Sequence, residues 1–99
     1  MAMDTEHEPW QQYYEAFSAR ARRIPSDAFD RGSLLYEAAH DAYESTTNNL
    51  TAAGWDAERA LTLGRLFGSV VKDWVQRGGQ DEGVLKAELR AHYRSWTAA

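Results

Sequence analysis

No cysteine occurs anywhere in the chain, and that single absence removes disulfides, thiolate metal sites and cysteine nucleophiles together. Stability must therefore come from packing, as a reducing cytoplasm would require. Proline is scarce too, with only Pro9 and Pro25, so little interrupts helices. No run approaches the ~20 consecutive apolar residues of a membrane span. The first residues, MAMDTEHEPW, carry acids where a secretory signal needs a basic flank, which points to a cytoplasmic protein. Also missing are a nucleophile elbow, a phosphate-cradling glycine loop and any clustered nucleophile–base–oxyanion trio. Gly78-Gly79 lacks the Lys and Ser/Thr of a P-loop and reads as a helix stop. These absences argue against an enzyme.

What is present suits one domain. Ninety-nine residues, 43% of them hydrophobic, with four Trp, five Tyr and three Phe, are enough for a single core spanning 1–99, with 1–8 expected as a flexible lead-in. The net charge of −4 opposes non-specific attraction to phosphate backbones or anionic lipid, and it favours a basic or apolar partner.

Periodicity predicts an all-α fold, a compact bundle of about four helices. Pro9 suits a first helical turn, and Trp10, Tyr13, Tyr14, Phe17, Ala21 and Ile24 follow at 3–4 spacing until Pro25. Residues 26–32 form a connector in which Phe29 is expected to plug into the core. A second helix runs from Ser33 on the series Tyr36, Ala39, Tyr43, Thr46, Leu50, Ala53. Its weak point is residues 45–49, whose Thr and Asn have poor helix propensity and could form a loop instead. Gly54 fits a left-handed helix stop with Trp55 contacting Leu50, and Asp56 fits an N-cap for a third helix over 57–77. That helix is the most apolar, with Leu61, Leu63, Leu66, Phe67, Val70, Val71, Trp74 and Val75 around more than half its circumference, so it is expected to lie centrally. Gly64 and Gly68 inside it suggest close approach of another helix or a ring. A fourth helix, capped by Gln80 or Asp81, runs to about Trp96 with Leu85, Leu89, His92 and Trp96 inward. Whether the apolar faces close within one chain or across a homodimer is left open.

Three surface patterns compete for function. Glu37, Asp41 and Glu44 form an acidic row on helix two, with no Lys or Arg between Arg31 and Arg59 and with Leu34 near its edge as an apolar anchor. This row is the candidate partner-binding site, set against a simple solubilising role. Lys86, Arg90 and Arg94 line helix four, but three charges flanked by Glu88 in an acidic protein disfavour direct nucleic-acid binding. Glu37-Ala38-Ala39-His40 is a single Glu-x-x-His step; di-iron bundles use two, and Glu88/His92 has the wrong spacing for the second, so neither metal nor cofactor is expected. Of the tryptophans, Trp10 is the one expected as an exposed anchor.

In size, in the acidic MAMDTEHEP start, in the Glu37/Asp41/Glu44 row and in its lack of catalytic motifs, the chain resembles the small acidic helical proteins of phages and mobile elements, including anti-CRISPR proteins. That resemblance implies a non-enzymatic inhibitor or adaptor covering a basic surface on a larger protein or nucleoprotein complex. The alternatives are a DNA-associated regulator using helix four with Arg20, Arg22 and Arg23, and a helical secretion substrate or subunit. The latter resembles the WXG type in length and helicity, but Gly54-Trp55-Asp56 stands where that family has Trp-x-Gly.

Overall fold

Four helices follow one another in the computed structural model, which describes residues 8–98: α1 (Pro9–Ala21), α2 (Arg31–Ala52), α3 (Ala57–Gln76) and α4 (Glu82–Ala98). The expected flexible lead-in lies, apart from Glu8, outside the described residues. Neighbours pair as α1–α2, α2–α3, α3–α4 and α4–α1, which closes a ring around one core within a single chain. Direction alternates. Arg31 at the start of α2 donates to the Gly79 carbonyl after α3, and Ser18 late in α1 donates to Glu82 at the start of α4, so these four ends share one pole of the bundle. Trp55 before α3 stacks on Trp96 late in α4 at the other pole.

The caps follow from local chemistry. Gly54 adopts φ +104°, Trp55 N–H donates to Leu50 O at 3.0 Å and Gly54 N–H to Thr51 O at 3.1 Å, a complete Schellman closure of α2. The same pair of bonds closes α3, from Gly79 to Trp74 O and from Gly78 to Val75 O. The Asp56 carboxylate accepts from Arg59 N–H at 3.1 Å, and the Asp81 carboxylate accepts from Gly83 N–H at 2.9 Å, capping α3 and α4. The end of α1 departs from expectation: it stops at Ala21, not Ile24. Arg23 and Ile24 instead donate to carbonyls three residues back, as fits a chain leaving helical geometry ahead of Pro25. Ile24 still packs against the core, half-buried.

α2 is continuous through residues 45–49. Thr47 Oγ1 donates to Tyr43 O at 2.9 Å, so one of the poor helix formers bonds back along the helix, as does Thr51 Oγ1 one turn on, to Thr47 O at 2.8 Å. Its buried face is Leu35, Ala38, Ala39, Ala42, Thr46, Thr47 and Leu50, displaced around the helix from the expected series, with Tyr36 and Ala53 exposed. The displacement reflects two neighbours. A helix packed between α1 and α3 turns the sector between them inward, and the alanines let both approach.

Phe67 lies at the centre, fully buried, its ring 5.2 Å from that of Tyr13 on α1 and 6.4 Å from that of Tyr93 on α4. Phe17 meets Trp74 edge-on at 6.0 Å. α3 has its two expected neighbours, but so does every helix in the ring, and its inward sector is narrower than its composition suggests: Leu61, Leu66 and Val75 are only half-buried. The expected close approach occurs at Gly64, where an added Cβ would stand 2.6 Å from Tyr43 Cδ1 and 2.7 Å from Thr47 Cγ2. At Gly68 nothing lies within 4 Å of that position. On α4, Leu85 and Leu89 are buried, Tyr93 and Trp96 half-buried, and His92 is exposed, because the inward track continues four residues from Leu89 to Tyr93. No helix of the described residues is long and apolar enough to cross a membrane.

Candidate functional surfaces

The acidic row of α2 exists as a surface. Glu37, Asp41 and Glu44 are exposed and Leu34 is half-buried at the N-terminal end of the same row. Helical spacing of 3, 4 and 3 places the four together. Neutralisation comes from across the helix pair, which no inspection of α2 alone reveals: Arg20 of α1 reaches Asp41 at 3.3 Å. Glu44 lies 3.6 Å from His40, whose ring stacks on Tyr43. Glu37 has no ion pair within 4 Å among the described residues. His40 thus engages Glu44 and not its Glu-x-x-His partner, and no group of three or more His, Cys, Asp or Glu among the described residues is placed to hold a metal ion.

Phe29 overturns one expectation outright. It is fully exposed, at 102% relative accessibility, on the turn before α2, with Asp27 and Asp30 on either side in sequence. The tight turns Ala28 N–H to Pro25 O and Arg31 N–H to Ala28 O direct the chain outward there, leaving the core to residues with a helical face to offer. Trp10 errs in the opposite direction. It is 7% exposed, and its indole N–H donates to Glu8 Oε1 at 3.0 Å, so it belongs to the core edge and is not an anchor.

The basic residues divide between faces. Arg20 turns to α2, whereas Lys86 Nζ of α4 sits 5.6 Å from the centre of the Tyr14 ring on α1. Tyr14 and Ser18 both donate to Glu82 Oε1, at 3.2 and 2.9 Å, which sets a carboxylate within the seam where Lys86 lies. Burial and that carboxylate together push the Tyr14 hydroxyl's pKa upward. Arg90 and Arg94 are exposed farther along α4, and Glu88 pairs with Arg77 at 2.6 Å.

A feature that residue spacing does not reveal lies at the opposite pole from Phe29. Phe67, Tyr93, Trp96 and Trp55 form a chain of ring contacts 6.3–6.5 Å apart, the two indoles inclined by only 9°. Arg59 lays its guanidinium 4.4 Å from the Trp96 ring centre and 5.7 Å from that of Trp55. Beside this chain opens a cleft of about 530 Å³ walled by Glu8, Pro9, Gln12, Leu50, Ala53, Trp55 and Tyr93. Burial raises the pKa of the Tyr93 hydroxyl, the Glu8 charge raises it further, and Arg59 acts against them more weakly. The cleft is built from the start of α1, the end of α2, the α2–α3 turn and α4, so its local clue is Tyr93 and Trp96 on the track continuing from Leu89. No protein-family model, curated protein or solved structure matches the chain.

Proposed function

We propose that the chain is a non-enzymatic protein-binding inhibitor or adaptor that works in the cytoplasm by covering a basic surface on a larger assembly, in the manner of the anti-CRISPR-type phage proteins it resembles. The observation that carries the reading is Phe29. Leaving a phenylalanine side chain in water forgoes roughly 1.5–3 kcal/mol of burial, a cost a partner's surface would offset. Its setting gives the partner a sign: Asp27 and Asp30 flank it, α2 begins at the next residue, and the α2 surface offers Glu37, Asp41 and Glu44 with Leu34 at the row's near end. An aromatic anchor on the turn that leads into a helix carrying a row of carboxylates suits a basic, partly apolar surface.

The test is affinity purification from the native host, followed by binding measurements with the purified partner against three proteins: wild type, Phe29→Ser, and Glu37→Lys with Asp41→Lys. Each variant should weaken association severalfold or more while leaving helicity unchanged, because the substituted side chains are exposed and the Arg20–Asp41 pair is worth about 1 kcal/mol at most. Affinity indifferent to both variants, or recovery of nucleic acid alone, overturns the proposal; the second result would turn attention to Lys86, Arg90 and Arg94.

A further inference from the structure

We infer that the cleft between α1, α4 and the α2–α3 turn is a receptor for an arginine side chain of a protein partner, with Tyr93 and Trp55 supplying ring surfaces and Glu8 the counter-charge. The inference rests on the reading of the chain as protein-binding, but it concerns a different pole of the bundle from Phe29.

Three observations define the occupant. Apart from Glu8 and Gln12 the walls are aromatic and aliphatic, from Trp55, Tyr93, Pro9, Leu50 and Ala53, which suits a methylene stem and a flat, weakly hydrated cation. The carboxylate in the wall is Glu8. It accepts a hydrogen bond from the Trp10 indole through Oε1 and forms no ion pair among the described residues, so it is held in place without being neutralised. The same aromatic chain already takes one guanidinium, that of Arg59, 4.4 Å from the Trp96 ring centre and 5.7 Å from that of Trp55.

The competing occupants fit less well. An anion would face the Glu8 carboxylate with no Lys, Arg or His among the lining residues, and α1 opens with Pro9, which has no N–H, while the backbone N–H groups of Gln11 and Gln12 are committed to the Glu8 carbonyl. A purely apolar side chain would fill the walls but leave the Glu8 carboxylate facing it without compensation. Arg59 is a cation that opposes a second, and at the Tyr93 hydroxyl its influence is smaller than that of Glu8.

Four indole N–H signals in the nitrogen–proton correlation spectrum provide the readout. The probe is a blocked three-residue peptide with arginine between two glycines, compared with its citrulline counterpart, which keeps the shape and loses the charge. Saturable shifts of the Trp55 and Trp10 signals with the arginine peptide are expected, with Trp74 unmoved at the far pole. The citrulline peptide should bind about tenfold more weakly, and Glu8→Gln and Tyr93→Leu should each cost about five- to tenfold. An unchanged Trp74 signal certifies the fold of each variant, and two variants guard against the loss of one. Equal binding of both peptides, or wild-type affinity in Glu8→Gln, overturns the inference. No partner enters this titration, so its failure leaves the dependence on Phe29 and Glu37 standing, and loss of that dependence leaves the titration standing.

Discussion

Thr46 points into the bundle with 1% of its surface exposed, and its hydroxyl has no hydrogen-bond partner, whereas Thr47 and Thr51 on the same helix both donate to carbonyls four residues back. A buried hydroxyl without a partner costs on the order of 1–3 kcal/mol. Thr46→Val keeps the shape and removes the orphan, so it should stabilise the protein by about 1 kcal/mol in urea unfolding; a loss of that size would show that the hydroxyl is satisfied. That Thr46 faces inward was legible in the spacing of α2. The placements of Phe29 and Trp10 were not. Spacing tells which side of a helix a residue occupies, but Phe29 lies on no helix, and for Trp10, at the first turn of α1, it does not tell that the core reaches that end of the helix.

At the level of elements, the two glycines of α3 separate propensity from packing. Gly64→Ala places a methyl group within 2.6–2.8 Å of the Tyr43 ring and Thr47, and the resulting displacement should cost about 1–3 kcal/mol net of the gain in helix propensity. Gly68→Ala meets nothing within 4 Å and should stabilise by roughly 0.5–1 kcal/mol. Thermal melts of the two variants should therefore shift in opposite directions. The sequence alone does not distinguish them, because the difference lies in Tyr43, twenty-one positions before Gly64 on another helix. Helix ends were easier to read: Gly54, Asp56, Gly78 and Asp81 act through bonds to residues within five positions. The acidic row was legible for the same reason, since Leu34, Glu37, Asp41 and Glu44 share one helix, while the Arg20 contact and the aromatic cleft depend on how helices meet.

For the whole molecule, Tyr13 is the titrating group set deepest in the core. It is fully buried, donates to the Ala39 carbonyl at 3.0 Å, and burial drives its pKa far above the ordinary value near 10. The folded state therefore keeps the neutral phenol while the unfolded chain ionises above pH 10. The associated stability is complete below pH 10 and is lost as pH rises beyond it, with Tyr14 and Tyr93 shifted in the same direction. Tyr13→Phe should cost about 1 kcal/mol at neutral pH through the lost hydrogen bond and make stability fall less steeply between about pH 10 and 12; parallel denaturation curves for the two proteins across that range would contradict this.

α4 buries only Leu85 and Leu89 fully, against seven buried residues on α3. Backbone amides of α4 should thus exchange with solvent through openings that leave α3 closed, with exchange rates over 82–98 well above those over 60–74. Tyr93, one wall of the cleft, belongs to this loosely held element, so the cleft is complete only while α4 is docked. Anything that occupies it draws from the closed population, and slowed amide exchange along the whole of α4 becomes a record of occupancy at a single side chain.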